Sequence, residues 1–280
     1  MFTTHDIARY YDLSEVHYRL FWNLQRSRSL HYGYWDASTK NFHEALLNIN
    51  KVLADMASVK DGDVVLDAGC GVGGSSLWLA SDRKCFVTGI SLNESQVRKA
   101  TAFAKESGLS NQVKFEERNY LHTGYPAETF DVVWAIESVC HANNKKEFLQ
   151  EAFRVLKKGG RLIVADFFKT NNLNSEEGEA VKAWANGWAI NDFETGENFY
   201  QQSLEAGFRD VEIQDASKAI MPSAKRLYRS YFVGKPAAVI YRLFNRKVSG
   251  LASNNVETAY QQYKTLQRGL WKYGIVKAVK

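Results

Sequence analysis

The sequence predicts an α/β fold: a doubly wound, mostly parallel sheet with an N-terminal helical lid and a C-terminal helical insertion. Three observations predict it. From Asp61-Gly62 onward, short β-rich runs alternate with amphipathic stretches of helical length, the pattern of βαβ units. The runs are nearly continuous in apolar residues, as strands are when helices cover both faces of a sheet. The first run empties into a glycine-rich turn, at the strand end where an open α/β sheet places its ligand.

Each element follows from its residues. Residues 1–60 read as helical, because His17 to Leu24 and Phe42 to Met56 carry apolar residues at three- and four-residue spacing. Between them, LHYGYWD (Leu30 to Asp36) is an aromatic cluster broken by glycine and suits a loop. The strands are DVVLDAG, KCFVTGIS, QVKFEER, FDVVWAIES and GRLIVADFF, with helices over 75–82, 93–107 and 145–157. Gly159-Gly160 closes the helix that ends Val155-Leu156-Lys157. Beyond Phe168 the alternation weakens. Residues 171–196 are polar and then Trp-rich, 197–206 read as a helix ending at Gly207, and 210–215 as a strand. A mostly helical stretch over 223–273 precedes a last strand, GIVKAV (274–279). The expected organisation is a lid over 1–60, a ligand-binding sheet core over 61–222 and 274–280, and a helical insertion over 223–273.

Composition narrows the class. The 280 residues are 45% hydrophobic and 24% charged, enough for a core that needs no staples. Three cysteines exclude a disulfide framework and favour a reducing, cytoplasmic setting. There is no Cys-x-x-Cys or histidine cluster, so no metal site is expected. No apolar run approaches the roughly 20 residues that span a bilayer. MFTTHDIARYYD has neither the basic head nor the apolar stretch of a secretory signal. The net charge of +5 conceals an asymmetry: residues 221–280 hold twelve Lys/Arg and one acid, Glu257. The ordinary reading is a solvated basic face; the functional one is an anionic acceptor or transient contact with a membrane surface. Oligomeric state leaves no signal.

The chemistry concentrates at Val65 to Gly74. Glycines there let backbone approach a ligand and turn sharply into a helix. Gly69, Gly71 and Gly74 also satisfy the dinucleotide pattern G-x-G-x-x-G. Two details point away from a nicotinamide cofactor. Asp67 precedes the first glycine by two positions, and the second strand ends Gly89-Ile90-Ser91, without the carboxylate that holds the ribose of such a cofactor.

Asp67 to Gly74 resembles motif I of the class I S-adenosylmethionine-dependent methyltransferases, and the likeness extends over roughly residues 60–170, including the LKKGG turn. Ala135 to Ala142 (AIESVCHA) closely resembles a segment of the sterol C-methyltransferases. LHYGYWD with Tyr10-Tyr11-Asp12 is similar to the lid of small-molecule methyltransferases that modify terpenoids, tocopherols and sugar-bearing natural products. The resemblance implies a Rossmann-like methyltransferase fold, S-adenosyl-L-methionine as cofactor and a small-molecule acceptor. It implies that Gly69, Gly71 and Gly73 lie against the methionine part of the cofactor, with Asp67 on the ammonium side. Ser91 and Gln96 match the hydroxyl and amide used on the ribose. Asn119 with Tyr120 stands where the family usually has an Asp on the adenine amine, a departure in this sequence.

The resemblance implies that Glu137, which follows the fourth strand, lies beside the transferable methyl group; His141 lies four residues on, so both are expected to reach one cavity. His31 in the lid is a further base candidate. Aromatic residues help to hold cations, and Tyr10, Tyr11, Tyr32, Tyr34, Trp35, Trp184 and Trp188 are assigned to a substrate pocket. The favoured reaction is C-methylation of an isoprenoid or sterol-like alkene; O-methylation of a hydroxyl on a sugar-bearing or polyketide-like product is the alternative. A cofactor-binding sensor is the reading from another class. Nucleic acid is not expected as acceptor: with only three prolines, Pro126, Pro222 and Pro236, the Asn/Asp-Pro-Pro-aromatic motif and the Pro-Cys pair are both absent. IESVCH also departs from the matching stretch of cyclopropane fatty acid synthases.

Overall fold

The computed structural model describes residues 2–3, 6–7, 9–10, 27–244 and 251–280, with backbone only at 233–244 and 251–256. The predicted helix over His17 to Leu24 lies outside the described residues, as does Tyr11. Seven strands form one sheet: β1 (Val64–Ala68), β2 (Phe86–Ser91), β3 (Val113–Glu117), β4 (Phe130–Ile136), β5 (Leu156–Lys169), β6 (Arg209–Asp215) and β7 (Trp271–Val279). Their order is β3-β2-β1-β4-β5-β7-β6. The first five are parallel, and β7 runs antiparallel to both β5 and β6. The sheet is thus doubly wound and mostly parallel, as the alternation predicts.

The helices are α1 (Phe42–Met56), α2 (Gly74–Arg83), α3 (Glu94–Glu106), α4 (Lys145–Val155), α5 (Ser175–Gly187), α6 (Gly196–Glu205), α7 (Ser217–Phe244) and α8 (Leu251–Gln267). Their starts are written in polar residues: Asn41, Asn93, Asn144, Asn174 and Thr195 each cap a first turn with a side-chain oxygen. In α1, Ala45, Leu46, Ile49, Leu53 and Ala54 are buried on one stripe, the three- and four-residue spacing of the sequence.

Two boundaries differ from expectation. The helix before the double glycine ends at Val155, and Leu156 already pairs with Phe130 in the sheet; Gly159 then turns the chain at φ +73°. The last strand begins at Trp271 rather than Gly274. Trp271 and Tyr273 are buried while Lys272 is exposed, a period-two alternation too short to separate from the tail of the preceding helix. The helices of the late insertion accordingly span 217–244 and 251–267.

Candidate active site

The register aligns Asp67 with Gly89 on one side and with Trp134 on the other, so the carboxyl ends of β1, β2 and β4 lie together. The strand order reverses between β1 and β4, and a crevice opens there. It is an open cleft, with about 830 Å³ of unfilled space once the solvent at its mouth is included. Asp67, Gly69, Gly71, Ser91, Gln96 and Tyr120 line it at one end; Glu137, His141 and His31 line it at the other.

The glycines of the turn serve different neighbours. Gly69, Gly71 and Gly73 all have left-handed backbone, at φ +92°, +54° and +86°. A Cβ on Gly69 would lie 2.4 Å from the Cβ of Ser138, and one on Gly74 would lie 2.0 Å from the carbonyl oxygen of Arg28. At Gly71 the nearest neighbour is a methyl of Leu30 at 3.6 Å, so this face opens into the cleft. Gly73 faces a side chain of the sheet. A Cβ there would meet the Phe115 ring at 2.6 Å, and the residue starts α2 and packs on β3 outside the lining.

Polar groups at this end are neutral or buried. Asp67 Oδ2 accepts from the Ser76 hydroxyl at 2.6 Å, and burial pushes the carboxyl up to about 7 against that bond. Ser91 closes β2, so no carboxylate ends that strand and the nicotinamide reading lapses. Its hydroxyl donates to Gln96 Oε1 at 2.8 Å and accepts from the Asn93 N–H at 3.1 Å. With Oε1 taken as acceptor, the Gln96 amide keeps its N–H groups for a ligand. Tyr120 donates to the Ser138 carbonyl at 2.9 Å. The Asn119 side-chain oxygen accepts from the Leu121 N–H at 2.9 Å and caps its own turn.

The other end is built from ionisable side chains. Glu137, the residue after β4, is held at φ +49°, a strained conformation for a non-glycine residue. Its Oε1 accepts from the Tyr32 N–H at 2.7 Å and the Tyr273 hydroxyl at 2.9 Å. Burial pushes its carboxyl up to about 8; the two donors oppose this and the nearby Asp166 carboxylate adds to it. Burial lowers His141 and His31 to about 4 each. His31 Nδ1 lies 2.9 Å from the Tyr32 carbonyl. A carbonyl only accepts, so Nδ1 carries the proton and the lone pair sits on Nε2. At neutral pH this end therefore holds a protonated carboxyl and neutral imidazoles.

The aromatic residues assigned to a substrate pocket stand apart from the lining. Trp184 is fully buried and stacks on Trp271 with ring centroids 4.5 Å apart. Trp188 packs against Tyr32 and Phe167. Trp35 donates to the Ser223 hydroxyl at 2.9 Å, and Tyr34 bonds through its N–H to the Ala45 carbonyl. Tyr10 is buried outside the lining. Tyr32 reaches the site through its backbone, donating its N–H to Glu137 and lying with its carbonyl on His31, while its ring packs edge-on against Tyr273. Large aromatic side chains bury most area as core, and here they form the wall behind Glu137.

Tyr273 is the site residue the sequence reading misses: it lies 136 residues from Glu137, and only the antiparallel insertion of β7 beside β5 brings the two together. Among the described residues, no group of three or more His, Cys, Asp or Glu is arranged to hold a metal ion. No helix among them is long and apolar enough to cross a membrane.

A family model described as a methyltransferase domain matches residues 59–222, more than half of the chain and the whole cleft-bearing part of the sheet. The chain belongs to the methyltransferase family. A 27-O-demethylrifamycin SV methyltransferase of Amycolatopsis mediterranei is 33% identical to this enzyme over 195 residues, 70% of this chain and 72% of the relative. A sterol 24-C-methyltransferase of Gibberella zeae is 34% identical over 167 residues, 60% of this chain but 42% of its own. Among solved structures, the cyclopropane synthase MmaA2 of Mycobacterium tuberculosis superposes with a TM-score of 0.84 over 99% of this chain and 98% of its own, at 16% identity; that likeness is one of fold.

The methyl donor of this methyltransferase is S-adenosylmethionine, and the first end of the cleft fits it. The open face of Gly71 admits a ligand against backbone. The Gln96 amide beside Ser91 offers donors to hydroxyls, and the buried Asp67 carboxyl suits an ammonium.

Proposed function

We propose that this methyltransferase modifies a small, largely apolar acceptor and that Glu137 takes up the proton the acceptor loses. The observation that carries the reading is the carboxyl of Glu137 in the cleft wall, with Oε1 fixed by two donors from distant parts of the chain. Asp67, Gly69, Gly71, Ser91, Gln96 and Tyr120 would hold S-adenosylmethionine, which supplies a methyl group on a positively charged sulfur and leaves with the bonding electrons. The remaining work falls to the chain: to align the acceptor, exclude water and accept a proton. Burial makes the Glu137 carboxylate a stronger base than an exposed carboxylate, and a neutral His141 or His31 lowers the cost of an apolar neighbour.

Two acceptor chemistries use that base at different moments. A hydroxyl gives up its proton as its oxygen gains the methyl group. An alkene carbon gains the methyl group first, and the resulting carbocation then loses a proton. Two observations favour the hydroxyl of a natural product. The relative named for methylating 27-O-demethylrifamycin SV runs along more of this chain than the sterol enzyme does. Among the described residues, Tyr120 is the aromatic side chain in the lining, while Trp184 and Trp188 pack into the core, Trp184 against Trp271. The alkene reading keeps the support of the AIESVCHA segment and the 34% identity to a sterol enzyme. Methyl-labelled cofactor offered with macrocyclic and terpenoid alcohols, sterols and prenyl diphosphates decides between them. Label on oxygen supports the first reading and label on carbon the second; binding without transfer to any acceptor contradicts both.

The basic region near the C-terminus is proposed to touch an anionic lipid surface. Lys218, Lys225, Arg229 and Phe232 are exposed and, at spacings of seven, four and three, share one face of α7. Sedimentation with phosphatidylserine vesicles, absent with neutral ones, is the expected outcome; equal recovery with both contradicts it. Free, buried Cys70, Cys85 and Cys140 suit a reducing, cytoplasmic setting.

A further inference from the structure

The loop that follows β4 brings Glu137 and His141 into the cleft, and it carries little regular structure of its own, a single 3-10 turn over Val139–His141. Its anchor lies outside the cleft. The Cys140 N–H donates to Asp166 Oδ2 at 2.8 Å, and the Cys140 carbonyl accepts from Lys145 Nζ at 2.9 Å. Lys145 Nζ also donates to the carbonyl of Ala142. Asp166 and Lys145 are both buried, at 3% and 9% exposure.

Lys145 contradicts the rules of its own element. It is the first residue of α4, where the helix dipole disfavours a cation, and burial adds a desolvation cost. Its neighbour Lys146 shows the ordinary solution, exposed and paired with Glu205 at 2.8 Å. A side chain that is unfavourable for its helix and for solvation is retained by what it holds, and what Lys145 holds is the loop.

We propose that Lys145 and Asp166 are positioning residues for methyl transfer: they grip the Cys140 peptide from its two ends and set how the loop presents Glu137 and His141 to the acceptor. The inference rests on the reading of that loop as the acceptor side of the site. Neither residue touches the cleft lining. Their effect is expected on turnover more than on cofactor binding, because they hold Cys140, whereas Ser138 is the loop residue that packs on Gly69 and accepts from Tyr120.

The test measures kcat, acceptor KM and cofactor affinity by calorimetry in full-length variants with cooperative melts. Lys145→Met is expected to lower kcat at least about tenfold, with KM and cofactor Kd within about threefold. Lys145→Arg, which keeps donors for the carbonyls, recovers part of the loss. Asp166→Asn, which keeps one oxygen for the Cys140 N–H but loses the acceptor for the Phe167 N–H, is expected to retain more turnover than Asp166→Ala; this pair decides if Lys145→Met does not fold. Unchanged kcat in Lys145→Met, a parallel loss of cofactor affinity, or equal turnover in the two Asp166 variants overturns the proposal. Glu137→Gln and His141→Ala measured alongside separate the two failures. Full turnover in both overturns the acceptor-side reading together with this inference. Loss in either of them with none in Lys145→Met overturns this inference alone.

Discussion

The two ends of the cleft are built from different materials. At the cofactor end, backbone and neutral polar groups dominate: Gly71 opens a face, Ser91 and Gln96 orient one another, and Asp67 is the one carboxyl. The groups named there come from residues 67 to 120, with Leu30 lying over Gly71 and Arg28 over Gly74. At the acceptor end, Glu137 is held by Tyr32 from the N-terminal strap and by Tyr273 from the last strand, with two histidines beside it. One end is a binding surface, made by local turns. The other is an arrangement of shifted acids and bases, made only when distant segments meet. Damage to the first should therefore read as lost affinity, and damage to the second as lost turnover.

The largest effect that could break this division is expected at Glu137. Glu137→Gln should lower turnover by about 10²–10⁴ while cofactor affinity, read by calorimetry, stays within a few-fold. Full turnover in that variant would remove Glu137 from the chemistry. Gly69→Ala comes next. Its new Cβ would sit 2.4 Å from the Cβ of Ser138 at a backbone φ of +92°, so a destabilisation of about 1–3 kcal/mol and a marked loss of cofactor affinity are expected. A wild-type melt with intact binding would show that the turn tolerates what its geometry forbids.

Asp67→Ala should weaken cofactor binding by roughly tenfold, the scale of one charge-assisted contact, and leave the acceptor KM little changed. Tyr273→Phe keeps the ring and removes one donor from Glu137. Turnover should drop by less than about tenfold, and the limb on which activity rises with pH should move to higher pH, since that donor holds the carboxyl down. An unmoved limb would place the titration on another group.

The smallest effect is on stability. Burial raises Asp67 to about 7 and Glu137 to about 8, above their ordinary carboxylate values. Across that window the folded chain binds more protons than the unfolded one, so stability contributed by these groups is present at low pH and is lost as pH rises towards 8. Glu137→Gln should therefore gain in melting temperature relative to wild type between pH 5 and pH 8.5. The same difference at both pH values would contradict the shift.

How much of this was legible depends on where each partner comes from. β1 to β5, the glycine turn and the placement of Ser91 at a strand end follow from local patterns. The motif marks Gly73 and Asn119 for a ligand but does not reveal that Phe115 packs beside the first and that the Leu121 N–H bonds the second. The aromatic residues of the lid were read as a pocket, but composition cannot distinguish a ring that lines a cavity from one packed behind it, as Trp184 is against Trp271. Tyr273, Lys145 and Asp166 left no local signal at all. Their roles exist only through β7 lying beside β5 and through the fold of the loop after β4.

The most direct test of the central claim, that Glu137 is the proton acceptor, is the pH profile of kcat/KM for wild type and Glu137→Gln with the acceptor that labelling identifies. Because kcat/KM reports the free enzyme, the wild-type profile should rise to a plateau through an apparent pKa near the value of about 8 that burial imposes, and the variant should be slow without that limb. A wild-type profile flat across this range, or a limb that survives in Glu137→Gln, would assign the proton to another group and contradict the account.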